Sequence, residues 1–110
     1  MARILMARFD LYRNPGRNTE TIPYLMEVQS NVISALATRI VVPLRTFGGL
    51  SKLALPADLF PIIAVDGVEH FLDTPQMGAI ALSELKIKAG SARQYQGDIQ
   101  TALDRVFGAY

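Results

Sequence analysis

The clearest structural signal in the chain is the stretch Pro61–Leu72, which reads PIIAVDGVEHFL. Two runs rich in β-branched and aromatic residues flank the dipeptide Asp66-Gly67, and such runs are typical of strands. The dipeptide suits a two-residue type I′ turn, because both of its positions tolerate a positive φ angle. The stretch therefore predicts a β-hairpin.

Three segments before the hairpin also have strand patterns. Phe9–Tyr12 opens a short strand that Asn14-Pro15-Gly16 ends. Alternating apolar residues over 22–28 predict a half-buried strand with Glu27 on its polar face. Arg39–Leu44 reads RIVVPL and predicts a central strand that its proline ends.

After the hairpin, Ala79–Lys88 predicts one more strand, and the hydrophobic period then changes to that of a helix. The apolar positions that fall on one helical face are Ile99, Ala102, Leu103, Val106 and Phe107. We place this C-terminal helix at residues 94–108. The pattern is therefore mainly β, with about five strands followed by one helix, as in a small sheet or barrel with a helix packed on it.

The helix has two possible starts. Asp98 fits an N-cap directly before the apolar stripe, whereas Ser91 with Gln94 resembles a capping box that would start the helix earlier and leave Gly97 inside it. Gly108 is well placed as the residue that follows the last turn. The sequence leaves both starts open.

Composition limits the size and the chemistry of the protein. With 110 residues, the chain is predicted to form a single domain over 1–110. Half of the residues are hydrophobic, a larger fraction than one small core is expected to bury. We therefore expect a homodimer whose interface buries some of these side chains. The absence of cysteine and the single histidine, His70, argue against a zinc site or a catalytic triad, and we expect no metal, cofactor or catalytic residues.

Charge and hydropathy predict whether the chain binds nucleic acid or a membrane and where in the cell it resides. The formal net charge is +1 without a basic stripe, so direct nucleic-acid binding is not expected. No apolar run approaches the roughly 20 residues that cross a bilayer, so we expect no membrane and a cytoplasmic location. Met-Ala-Arg occurs at both 1–3 and 6–8, which leaves open that Met6 is the natural start and that residues 1–5 are an extension.

The order of several short motifs resembles the CcdB toxins. The motifs are FDLY at 9–12, YLMEVQS at 24–30, TRIVVPL at 38–44, LFPII at 59–63, TPQM at 74–77 and the closing helix with Phe107. Each motif is short, but their order and spacing cover nearly the whole chain from Met6. The resemblance implies an SH3-like barrel of the CcdB/MazF type with a small accessory sheet and a C-terminal helix, assembled as a two-fold dimer.

The resemblance also implies a function and its residues. CcdB toxins bind the A subunit of DNA gyrase and trap its cleaved-DNA complex without catalysing a reaction, and a CcdA-like antitoxin neutralises them. The implied gyrase-binding residues are Ser30, Val32, Ile33, Asp104, Phe107, Gly108, Ala109 and Tyr110. The implied antitoxin-binding residues are Arg13, Asn14 and Arg17. The best-known member of the family ends in Trp-Gly-Ile after the matching phenylalanine, whereas this chain ends in Gly-Ala-Tyr.

Simpler interpretations stand beside these assignments. Tyr110 fits a frayed terminal aromatic as well as an anchor, and Ser30 fits a turn former. His70 fits an ordinary strand histidine better than a general base. For the whole protein, two alternatives are a MazF-like endoribonuclease, which shares the barrel, and a diverged homologue that binds only antitoxin.

Overall fold

The computed structural model describes residues 7–30 and 35–108. Within these residues the chain forms seven strands and one α-helix. The strands are β1 (Asp10–Arg13), β2 (Tyr24–Glu27), β3 (Thr38–Thr46), β4 (Ile62–Val65), β5 (Val68–Leu72), β6 (Gly78–Ala81) and β7 (Lys88–Ser91), and the helix is α1 (Gln96–Phe107). Short 3-10 turns lie at Lys52–Ala54, Thr74–Gln76, Leu82–Glu84 and Arg93–Tyr95. The predicted mainly β fold with a C-terminal helix is confirmed.

Strand β3 is the centre of the sheet, as predicted. The sheet is antiparallel with the strand order β4-β5-β3-β2-β1-β7, and β6 also pairs with β3. The first half of β3 pairs with β6, from Thr38 opposite Ala81 to Val41 opposite Gly78. Its second half pairs with β5, starting at Leu44 opposite Leu72. The nine residues of β3 therefore join two parts of one sheet.

The predicted hairpin is confirmed. Val65 lies opposite Val68, so the connection between β4 and β5 has two residues. Asp66 has a φ angle of 52° and Gly67 one of 79°. Positive φ at both central positions is the geometry of a type I′ turn, whose twist matches that of the strands it joins.

The prediction that Pro43 ends its strand is wrong, because β3 continues to Thr46. Pro43 pairs with Leu25 of β2, and its carbonyl accepts a hydrogen bond from the N–H of Asp73 on the opposite side. That side is where the neighbour of β3 changes from β6 to β5. A residue without an N–H is tolerated there, because a strand position between two partners does not need the donor.

The single strand predicted over Ala79–Lys88 is also wrong. The chain instead forms β6 and β7, separated by the 3-10 turn Leu82–Glu84. Leu85 follows this turn and is buried in a second, smaller core cluster. The break adds one strand to the predicted number, and the structure has seven strands where about five were predicted.

Helix α1 packs one face against the sheet. Ile99, Ala102 and Leu103 are its buried residues, and they join the main core with strand residues such as Met26 and Val42. The 3-10 turn Arg93–Tyr95 leads directly into α1. The helix therefore contains Gly97 as the earlier start predicts, but it begins at Gln96 and ends at Phe107 instead of spanning 94–108, and neither Asp98 nor Ser91 is its N-cap.

Glu27 is not on a solvent face, contrary to the prediction. It is 1% exposed, although Met26 beside it points into the main core. The opposite face of β2 is covered by the second cluster, which contains Tyr12, Leu25, Val41 and Leu85. The side chains of β2 do alternate between two faces, but both faces of the strand are buried.

No helix in residues 7–30 and 35–108 is long and apolar enough to cross a membrane.

Candidate target-binding groove

A groove lies where the C-terminal half of α1 passes over the ends of β2 and β3. We call it the α1 groove, and its volume is about 330 Å³. Its lining residues are Arg8, Val28, Gln29, Ser30, Ile40, Met77, Gln100, Leu103, Asp104 and Phe107. Half of these side chains are apolar and half are polar, so the groove combines a hydrophobic surface with a few hydrogen-bonding groups, as binding sites commonly do.

Helix geometry arranges one wall of the α1 groove. Gln100, Asp104 and Phe107 are spaced at i, i+4 and i+7, which places them on one helical face. The side-chain amide of Gln100 donates to Oδ1 of Asp104 over 3.1 Å. Gly108 ends the helix in the left-handed region at a φ angle of 71°, and its N–H donates to the Asp104 carbonyl. Asp104 is therefore fixed through both its side chain and its backbone.

The other wall is the segment where the chain leaves β2 and later enters β3. The N–H of Val28 donates to the carbonyl of Ile40 over 3.0 Å. The N–H of Ile40 donates to Oε1 of Gln29 over 3.1 Å, and Nε of Arg8 donates to the Val28 carbonyl over 3.0 Å. These bonds tie Ile40 to the segment that leads to Ser30, although Ile40 and Ser30 are both exposed.

Exposed apolar side chains lie at the end of the α1 groove. Phe107 is 69% exposed, and Ile40 is 40% exposed. Large apolar side chains that gather at one place on a surface commonly mark a binding site for another protein.

The structure brings together three of the eight residues implied for gyrase binding, since Ser30, Asp104 and Phe107 all line the α1 groove. Gly108 follows directly as the helix cap. Val32, Ile33, Ala109 and Tyr110 lie outside the described residues.

Sequence reasoning missed other lining residues of the α1 groove. Of these, Gln100 has a detectable signal, because it shares the helical face of Asp104 and Phe107. Arg8, Gln29, Ile40 and Met77 reach the groove only through tertiary packing, which the sequence pattern does not contain.

A second groove, the loop groove, lies between the turn after β1 and the segment before β7 and has a volume of about 280 Å³. Its lining residues are Arg13, Asn14, Pro15, Glu84, Lys86 and Ile87. The side chain of Asn14 donates to the carbonyls of Arg17 and Ile22, and it accepts from the N–H of Gly16. Of the three implied antitoxin-binding residues, Arg13 and Asn14 line this groove, while Arg17 is held beside it and is not a lining residue.

His70 is a buried residue of β5 and lies outside both grooves. Its ring meets that of Tyr24 edge to face, with the ring centroids 5.5 Å apart. Among the described residues, no group of three or more histidine, aspartate or glutamate side chains could hold a metal ion. The ionisable side chains that line the α1 groove are Arg8 and Asp104, and this arrangement suits recognition by shape and hydrogen bonding.

Strands β1, β2, β3 and β7 contribute two neighbouring ion pairs, of which the Glu27–Arg39 pair is buried. Nε of Arg39 is 3.2 Å from Oε2 of Glu27, and Nζ of Lys88 is 3.2 Å from Oδ2 of Asp10. Burial raises the pKa of Glu27 above its usual value, and Arg39 only partly opposes this. Burial, with the negative charges of Asp10 and Glu27, raises the pKa of Tyr12 to about 12.

Comparisons with solved structures show the same fold in two endoribonucleases. An endoribonuclease in complex with its cognate antitoxin, from a mycobacterial species, has a TM-score of 0.76 and 16% identity, covering 96% of this chain and 98% of that one. A second mycobacterial endoribonuclease has a TM-score of 0.69 and 18% identity, covering 94% and 91%. At these identities the likeness concerns the fold. A search of curated protein sequences found no significant match.

The comparison with protein families is more specific. A model of the CcdB protein family matches residues 8–108, which include all strands, the helix and both grooves. The match spans the same motifs on which the sequence resemblance rests. The chain therefore belongs to the CcdB family of toxins.

Proposed function

We propose that this protein is the toxin of a type II toxin-antitoxin module, which binds the A subunit of DNA gyrase and traps the gyrase-cleaved DNA complex. The observation that carries the proposal is the convergence of Ser30, Asp104 and Phe107 on the α1 groove. These residues come from the end of β2 and from α1, and the family resemblance assigns all three to gyrase binding.

The physical properties of the α1 groove support recognition of another protein. Phe107 presents a largely exposed aromatic ring next to it. Aromatic side chains lose little conformational entropy on binding and dominate the affinity of many interfaces. Asp104 and Gln100 add oriented polar groups, which favour one partner over others.

We propose that the protein acts by occupancy, without catalysing a reaction. An endoribonuclease needs positioned acid or base groups and a positive groove for RNA. In the α1 groove, Arg8 donates to a backbone carbonyl and Asp104 accepts from Gln100. The likeness to mycobacterial endoribonucleases supports the shared barrel, and RNA cleavage is therefore kept as an alternative outcome of the experiment below.

We further propose two partners besides gyrase. A CcdA-like antitoxin would bind the loop groove through Arg13, and a structural neighbour that is complexed with its cognate antitoxin supports this partner class. A second copy of the chain would cover part of the exposed apolar surface near Phe107.

Sedimentation equilibrium tests the proposed homodimer. We expect a mass twice the chain mass of 12.1 kDa. A monomer at micromolar concentration would contradict the homodimer.

The gyrase proposal is tested by incubating the purified protein with DNA gyrase, ATP and supercoiled plasmid, and by measuring cleaved DNA. The matched variant ends after Phe107 and keeps the whole of α1. We expect cleaved DNA to accumulate with the full chain and not with the truncated one, because the implied contacts at Gly108, Ala109 and Tyr110 are then missing.

The other outcomes identify the alternatives. A folded full-length protein that yields no cleaved DNA contradicts gyrase poisoning. Degraded cellular RNA in cells that express it would then indicate a ribonuclease. Absence of toxicity together with antitoxin binding would indicate the diverged homologue.

A further inference from the structure

We propose that Arg39 is a positioning residue for target binding, held by Glu27 so that it fixes the backbone at the entry of β3 beside the α1 groove. This inference rests on the proposed function. It concerns a buried side chain that lines neither groove and that the family resemblance leaves without a role.

Arg39 makes its contacts in a buried place. Its Nη1 donates to the carbonyl of Leu36 over 2.5 Å and to that of Thr38 over 3.0 Å. Its Nε is 3.2 Å from Oε2 of Glu27, and the two side chains are 3% and 2% exposed. One guanidinium therefore connects the end of β2 to the segment that enters β3.

The position of Arg39 in the strand links these contacts to the α1 groove. Neighbouring residues of a strand point to opposite faces, so Ile40 lines the groove while Arg39 lies behind it. Glu27 similarly precedes Val28, Gln29 and Ser30, which line the groove. The Glu27–Arg39 pair thus holds both segments of this wall from the face opposite the target.

Stability alone is a poor explanation for this pair. Removing two charges from water costs free energy, and apolar replacements of a buried ion pair are often neutral or stabilising. The raised pKa of Glu27 shows that burial outweighs the attraction to Arg39. What an apolar pair cannot supply is a planar set of donors with fixed directions, and lysine cannot supply it either.

The test uses two variants that separate positioning from stability. Arg39→Lys keeps the charge next to Glu27 but loses the fork of donors, and the double variant Glu27→Leu with Arg39→Met replaces the pair by apolar side chains. We expect both to keep a melting temperature near that of the wild type. Each should bind the purified gyrase A subunit about tenfold more weakly, as the loss of a hydrogen bond to a charged group implies.

Arg45→Lys is the matched control. Arg45 also lies in β3 and pairs with a carboxylate, Nε being 2.5 Å from Oδ2 of Asp73, but its strand neighbours Leu44 and Thr46 do not line the α1 groove as Ile40 does. This variant should bind gyrase A as the wild type does. A folded Arg39 variant that also binds with wild-type affinity overturns the inference.

A measurement on the wild type is independent of the variants and of gyrase. In the NMR spectrum, the guanidinium of Arg39 should show slow rotation about its Nε–Cζ bond, because Nη1 donates to the backbone carbonyls of Leu36 and Thr38. Fast, averaged rotation overturns the inference even if a variant does not fold. If the wild type fails to bind gyrase A, the proposed function fails. A slowly rotating guanidinium would still support the inference that Arg39 fixes the backbone at the entry of β3.

Discussion

At the scale of single residues, environment decides what a side chain does. Glu27 stands in an alternating pattern that predicts exposure, yet a second core cluster covers its face. Ser30, Asp104 and Phe107 were identified only through the family resemblance, since serine after a strand and phenylalanine in an apolar stripe have ordinary structural explanations. The structure adds that the three residues share one groove.

Tyr12 gives a pH-dependent prediction at this scale. Its pKa in the folded protein is raised from the ordinary value of 10.0 to about 12, first by burial and then by Asp10 and Glu27. The folded state therefore favours the neutral phenol more than the unfolded state does. The corresponding stability is fully present below pH 10 and is lost as the pH rises through about 12.

The measurement is absorbance at 295 nm during alkaline titration, with the curve of Tyr12→Phe subtracted from that of the wild type. The difference should show one tyrosine that ionises near pH 12. If the protein unfolds first, this tyrosine should ionise only as the circular dichroism signal of the folded state is lost. A phenolate that forms near pH 10 while the protein remains folded would contradict the buried, negatively charged surroundings.

At the scale of elements, local signals were predictable and tertiary effects were not. The hairpin around Asp66-Gly67 follows from turn chemistry, which acts within a few residues. The continuation of β3 through Pro43 depends on a change of neighbouring strand, and the break between β6 and β7 depends on the burial of Leu85. Neither cause is visible in the local pattern. For the same reason, the grooves between elements could not be predicted from periodicity.

The loop groove gives a prediction at the element scale, because it forms between the turn after β1 and the segment before β7. Arg13 is an exposed charge of its lining, and such charges act mainly on association rates. Arg13→Ala should lower the association rate constant of a CcdA-like antitoxin about threefold to tenfold at low salt, with less effect at high salt.

Surface plasmon resonance with immobilised antitoxin measures this rate. Arg93→Ala is the control, since Arg93 is an exposed arginine of a 3-10 turn that lines neither groove. Equal association rates for the two variants would exclude the loop groove as the antitoxin site.

At the scale of the whole molecule, the two grooves lie in different parts of the fold. The α1 groove is built from the helix and the ends of β2 and β3, and the loop groove from segments beside β1 and β7. A protein arranged in this way can offer separate surfaces to a target and to a neutralising partner.

The most direct test of the central claim is the affinity of the purified protein for the gyrase A subunit, measured by isothermal titration calorimetry for the wild type, Phe107→Ala and Leu53→Ala. Phe107 is 69% exposed and lines the α1 groove, whereas Leu53 is 97% exposed in a 3-10 turn that does not line it, so neither truncation removes a core side chain. We predict that Phe107→Ala weakens binding by at least about 30-fold, as expected for an aromatic hot spot, while Leu53→Ala binds like the wild type. Wild-type affinity in the Phe107 variant, or no binding by the wild type itself, would contradict the account.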